Sequence, residues 1–291
     1  MTDTPDTVKL LNLGMSGAGK TGCLVSLVLA GYHLYILDFD NNSKIIRRIL
    51  TDMGREDLWT SNVHVAPLRD KITLKNGVPK LQAPMTAWKG AGKALEAWNA
   101  DNFTPRDVIV MDTLTKGSEA AFNEGLALAG RLNQRPQLAD YGWMADSVKL
   151  FVDMITAADY PCHVIINTHI KYKEGDETLQ TEARGLPNAK GQEISNSIAV
   201  NFNTIILTRT KGQGPATRRI ISTQPQGIVE VKNENPKGVK PEYPIDTGMA
   251  QLFKDILGSG PSNTTSPTPA KEEPSPPAPE QTEAPTQAQD A

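Results

Sequence analysis

The sequence predicts an α/β domain: a mostly parallel sheet flanked by helices, extended by C-terminal antiparallel strands and followed by a disordered tail. Three observations carry this. Short apolar runs ending in polar residues alternate with amphipathic stretches of helical length, the pattern of successive βα units. A glycine-rich segment, Gly14 to Thr21, separates the first such run from the first helical stretch. Near Gly258 the composition shifts, and eight prolines fall between Pro261 and Pro285 with no hydrophobic period. Such a segment cannot bury enough apolar surface to offset its ordering entropy. Residues 1–258 are therefore expected to form one domain and 259–291 a tail.

Along the chain, Val8–Leu13 reads as the first strand and Lys20–Ala30 as the helix after the glycine segment. Leu34–Asp38 is a second strand, followed by a short helix over Ser43–Met53. Asn76-Gly77, inside Lys71–Gln82, signals a hairpin, because both residues tolerate the positive φ of its turn. Thr86–Ala100, Thr115–Arg131 and Tyr141–Ala158 have helical spacing. Val108–Met111 is apolar throughout, as a strand covered on both faces is, and Val164–Asn167 reads as another buried strand. Lys171–Gln192 is polar and contains glycines, and reads as a loop. Thr204–Thr208, Arg218–Ser222 and Ile228–Lys232 have short connections and read as antiparallel strands, with Met249–Leu257 as a closing helix.

The formal charge of -3 is unevenly spread. The tail holds one basic residue, Lys271, and five acidic ones; removing them from the totals of 30 and 33 leaves 29 basic and 28 acidic residues before it. The domain is near neutral and the tail acidic, which neither demands nor excludes a nucleic-acid partner. Cys23 and Cys162 lie in apolar surroundings without metal or redox spacing, as buried core thiols do. The polar, acidic N-terminus is unlike a signal peptide, and Cys23 to Gly31 is too short an apolar run to span a bilayer. A cytoplasmic protein without a membrane partner is expected.

Gly14-Met15-Ser16-Gly17-Ala18-Gly19-Lys20-Thr21, followed by Gly22, matches GxxxxGK[ST] in full between a strand and a helix. Glycines let the loop curl so that its N–H groups converge on phosphates, and the helix N-terminus adds its positive end. Lys20 then reaches the β- and γ-phosphates of ATP, and the Thr21 hydroxyl ligates Mg²⁺. Asp112 ends a run of four apolar residues, where a carboxylate faces the ligand crevice and can hold the ion's water shell. Asp107, at the other end of that strand, is on the wrong edge. Asp40 follows the second strand; it either activates the attacking water or caps the next helix near Ser43. His169 ends the Val164–Asn167 strand, where it either senses the γ-phosphate or is structural.

Taken in order, these features resemble the core of RecA-type recombination ATPases, and more closely the compact phage-type RecA-like proteins that promote single-strand annealing. Tyr35–Asp40 is similar to that family's second strand, whose final acidic residue is the catalytic base, although Glu is usual there. Val108–Asp112 with Thr113 is similar to the Walker B strand. Ile165–Gly175 resembles the strand that carries the γ-phosphate sensor and enters the DNA-binding loop, with His169 at the sensor position. The resemblance implies that Lys171, Lys173, Arg184 and Lys190 contact DNA phosphates. Val229–Asn233 resembles the late strand that projects basic residues into a neighbour's ATP site. Lys232 matches there, with Arg218 and Arg219 as further trans-acting candidates.

The resemblance thus implies an Mg²⁺-dependent ATPase with a RecA-like fold that binds single-stranded DNA and assists annealing or strand exchange. It would act as a homo-oligomer, ring or filament, with a tail that either recruits a partner protein or merely solubilises. Two alternatives stay open: a P-loop kinase of a nucleotide or small metabolite, and a nucleotide-gated scaffold or helicase loader. Against the kinase, no compact Arg-rich lid is visible, since Arg131, Arg135 and Arg184 are dispersed.

Overall fold

A computed structural model describes residues 6–175 and 183–258. The expected tail, 259–291, lies outside the described residues. The chain begins with β1 (Lys9–Leu13), a short 3₁₀ turn (Gly22–Leu24), α1 (Val25–Leu29), β2 (His33–Asp38), α2 (Lys44–Asp52), α3 (Glu56–Asn62) and β3 (Val63–Pro67). A hairpin of β4 (Ile72–Lys75) and β5 (Val78–Leu81) follows, then α4 (Ala87–Ala97), β6 (Asp107–Asp112), α5 (Leu114–Leu128) and α6 (Leu138–Thr156). Next come β7 (His163–Thr168), β8 (Ile170–Lys173), β9 (Arg184–Pro187) and α7 (Gln192–Ser197). The domain ends with β10 (Thr204–Lys211), β11 (Arg218–Ser222), β12 (Glu242–Pro244) and α8 (Gly248–Ile256).

The main sheet has eight strands in the order β12-β11-β10-β1-β7-β6-β2-β3. From β10 to β3 all neighbours run parallel, while β11 and β12 are antiparallel. The expected α/β class with its antiparallel extension is the observed one. Residues alternate between two cores. Leu10, Ile36, Val108, Val110 and Ile206 meet α1 and α8 on one face. Leu11, Leu37, Ile109, Met111 and Ile166 meet α4, α5 and α6 on the other. This two-sided covering explains the uninterrupted apolar runs, and each such buried side chain contributes roughly 1.5–3 kcal/mol of transfer free energy. Gly117 lets α5 settle on the sheet: a Cβ there would stand 2.1 Å from the Met111 methyl.

The structure corrects the reading in three places. The segment expected as strand Ile228–Lys232 runs beside no single strand. It makes isolated bridges instead, to Gly185 of β9 through Val229 and to Ile205 of β10 through Lys232. The place beside β11 belongs to β12, whose Tyr243 is buried. Lys171–Gln192 contains regular structure, because β8 and β9 pair as an antiparallel ribbon. Finally, α3 and β3 escaped notice; Val63-His64-Val65-Ala66-Pro67 is a half-exposed edge strand without a continuous apolar signal. No helix among the described residues is long and apolar enough to cross a membrane.

His163 opens β7 and is 1 % exposed. Its Nδ1 accepts the Val8 N–H at 2.9 Å. Burial is the main force lowering its pKa from 6.5 to about 4. The unfolded chain therefore binds this proton more readily, so the stabilisation is complete above pH 6.5 and is lost as pH falls towards about 4. The loss is expected to be about 3 kcal/mol. Urea melts above and within this window should show it in the wild-type chain and a flatter dependence in His163→Gln.

Candidate functional site

The glycine loop leaves β1 at the carboxyl edge of the parallel strands. Gly14 donates its N–H to the Thr168 carbonyl at 3.2 Å, and a Cβ on Gly14 would stand 2.5 Å from the Thr208 carbonyl oxygen. The loop is thus held between β7 and β10. Gly17 and Gly19 have φ of 74° and 105°, a region that side chains disfavour, and so curl the loop. Lys20 is buried, and its Nζ donates to the carbonyls of Gly14 at 2.8 Å and Met15 at 3.0 Å. Burial lowers its pKa, against the pull of the Asp112 and Asp40 carboxylates.

Thr21 donates its hydroxyl to Asp112 Oδ2 at 2.8 Å. Burial raises the Asp112 pKa to about 6, despite hydrogen bonds from Thr21 and Asn167. Behind this pair runs a buried polar ladder across four strands. Thr208 donates to Asn12 Oδ1 at 2.6 Å, Asn12 to Asn167 Oδ1 at 2.9 Å, and Asn167 to Asp112 Oδ1 at 3.1 Å. The sequence reading missed Asn12, Asn167 and Thr208. Their signal was faint: each is a polar residue that follows apolar ones in its strand, and the three strands are neighbours.

The two readings of Asp40 separate cleanly in space. Asp38 builds the entry to α2, accepting the Ser43 hydroxyl at 2.6 Å and the Ser43 and Asn42 amides. Asp40 does not cap. It accepts from the Asn42 side chain at 3.0 Å and lines a cleft of about 560 Å³. Ser16, Gly17, Gly19, Lys20, Thr21 and Gly22 line the same cleft, as do Asp112 and His169. Ile45 and Ile49 of α2 and Arg219, Ile245 and Asp246 also line it.

His169 is half-buried, and burial, then Lys20, lowers its pKa. It joins β7 to the β8–β9 ribbon. In that ribbon Lys173 faces Arg184, and Lys171 lies two residues earlier, so these three exposed cations share one face. Lys190 stands apart: its N–H donates to Ser118 Oγ at 2.8 Å, and its Nζ lies 4.3 Å from the Phe122 ring centre. The trans-acting candidates separate likewise. Arg219 lines the cleft of its own chain. Arg218 sits on the other face of β11, near Arg209 and Lys211, which both bond Glu242. Lys232 is exposed, off the cleft, and its N–H pairs with the Ile205 carbonyl.

The family described as "AAA domain" matches residues 6–234. No curated protein matches the sequence. Among solved structures, a KaiC-like protein from the hyperthermophilic archaeon Pyrococcus horikoshii OT3 is similar at a TM-score of 0.44 and 12 % identity, covering 81 % of this chain and 84 % of that one. With its glycine loop, lysine and strand-end carboxylate assembled in one cleft, the chain belongs to the AAA domain family of nucleotide-binding P-loop ATPases.

Proposed function

We propose that this ATPase hydrolyses ATP with Mg²⁺ and uses the cycle to bind and release single-stranded DNA, assisting annealing or strand exchange. The reading rests chiefly on the position of His169. It lines the nucleotide cleft, and the ribbon bearing Lys171, Lys173 and Arg184 starts at the next residue.

The cleft's chemistry suits the nucleotide. The curled loop offers backbone N–H groups, and Lys20 needs only to exchange two carbonyls for phosphate oxygens. Thr21 and Asp112, already 2.8 Å apart, would hold Mg²⁺, which when bound neutralises charge on the transferring phosphoryl group. Asp40 orients and deprotonates the attacking water. Ile45, Ile49 and Ile245 offer an apolar slot for the base. Arg219 serves the nucleotide of its own chain, whereas Lys232 and Arg218 remain the groups able to reach a neighbour in a ring or filament.

A titration with labelled single-stranded DNA, with ATP, ADP or no nucleotide and at two salt concentrations, tests this. Affinity should depend on nucleotide and fall with salt. Removing Lys171, Lys173 and Arg184 together should flatten the log–log salt slope by about 2. Affinity indifferent to nucleotide would remove the coupling, and a phosphorylated small product would indicate a kinase instead.

A further inference from the structure

Thr115 stands in the first turn of α5, and its hydroxyl meets both ends of the β8–β9 ribbon. Its Oγ1 lies 2.6 Å from the Asn188 carbonyl oxygen, 3.4 Å from the His169 backbone nitrogen and 3.3 Å from His169 Nδ1. A threonine hydroxyl owns one proton and two lone pairs. A carbonyl oxygen cannot donate, so the short contact commits that proton to Asn188. Only lone pairs are left for His169, whose backbone N–H is necessarily a donor. The Nδ1 contact is then satisfied only if Nδ1 also carries a proton. Thr168 Oγ1 also lies 3.5 Å from Thr115 Oγ1, but its one proton has nearer acceptors in the His169 and Asn188 carbonyls at 3.2 and 3.3 Å, so it takes no lone pair that Nδ1 needs.

We propose that Thr115 is a positioning residue that fixes neutral His169 as its Nδ1–H tautomer, making Nε2 a hydrogen-bond acceptor at the nucleotide cleft. The functional consequence rests on the sensing role given to His169 above; the tautomer itself does not. An acceptor Nε2 can pair with water but not with an unprotonated phosphate oxygen. The ring becomes a donor to a triphosphate only by taking up a proton at Nε2. Burial, Lys20 and Lys116 favour the neutral ring, and Asp40 opposes them. The added negative charge of ATP favours the cation, so ATP binding should be accompanied by proton uptake at this ring.

Long-range ¹H–¹⁵N spectra of the full chain without nucleotide test the assignment, with His169→Gln identifying the signal. The wild-type protein is expected to show a protonated Nδ1 and a bare Nε2 when His169 is neutral. Thr115→Val should shift the ring to the Nε2–H form that free histidine prefers, and Thr115→Ser should restore it. Unchanged signals from His33, His64 and His163 report an intact fold. A wild-type ring with Nε2–H, or a Val variant that keeps Nδ1–H, overturns the proposal. Should the Val variant fail to fold, the wild-type and Ser spectra still decide. No DNA enters the measurement, so failure of the recombination reading leaves it standing, and its own failure leaves that reading intact.

Discussion

Replacing Lys20 by Ala is expected to lower ATP turnover by about 10²–10³-fold, the size seen when one preorganised group facing developing negative charge is removed. Lys20 is part of the loop itself, buried and held against the Gly14 and Met15 carbonyls. Its ammonium is therefore already desolvated and needs little reorganisation to meet phosphate. Calorimetry with Mg²⁺ and ATP should show much weaker uptake in Lys20→Ala. Thermal melting without nucleotide should change little, because both carbonyls can turn to water. Unchanged uptake and turnover in the folded variant would overturn the nucleotide site.

Asp40→Asn is expected to separate chemistry from binding. The substitution preserves shape and the contact with Asn42, 3.0 Å away, but removes the proton acceptor. Turnover should fall by about 10²–10⁴-fold, the usual contribution of a general base. ATP affinity should stay close to wild type, since the Asp40 carboxylate bonds the Asn42 side chain and not the glycine loop. Single-turnover hydrolysis beside calorimetry makes the split visible. Undiminished hydrolysis would move the base role to another group, and Asp38 is poorly placed for it because its carboxylate is occupied by Ser43 and Asn42.

How far the sequence was legible depended on how local each signal was. The glycine loop and Asp112 were readable because a contiguous motif and a charge after four apolar residues each have one economical placement in a parallel sheet. The central strands were readable for the same reason: covering on both faces leaves no polar alternation to mislead. Edge elements were not. Ile228–Lys232 has strand composition, yet whether it lies beside β11 depends on Tyr243, a residue more than ten positions away that fills the space first. The choice between the two readings of Asp40 needed Asp38, because nothing in Asp38-Phe39-Asp40 tells which carboxylate turns towards Ser43. The division of Lys190 from Lys171, Lys173 and Arg184 needed the pairing register of β8 and β9.

The polar ladder beneath the cleft also has a direction. An ionised Asp112 can only accept, so Asn167 must present its amide nitrogen to it and its carbonyl to Asn12. Asn12 in turn must offer its carbonyl to Thr208. One negative charge on β6 thereby dictates which way two amides and a hydroxyl are turned, three strands distant. Rotating any one of them would set acceptor against acceptor inside the sheet. The amide and hydroxyl orientations in β7, β1 and β10 are in this way tied to the ionisation state of Asp112.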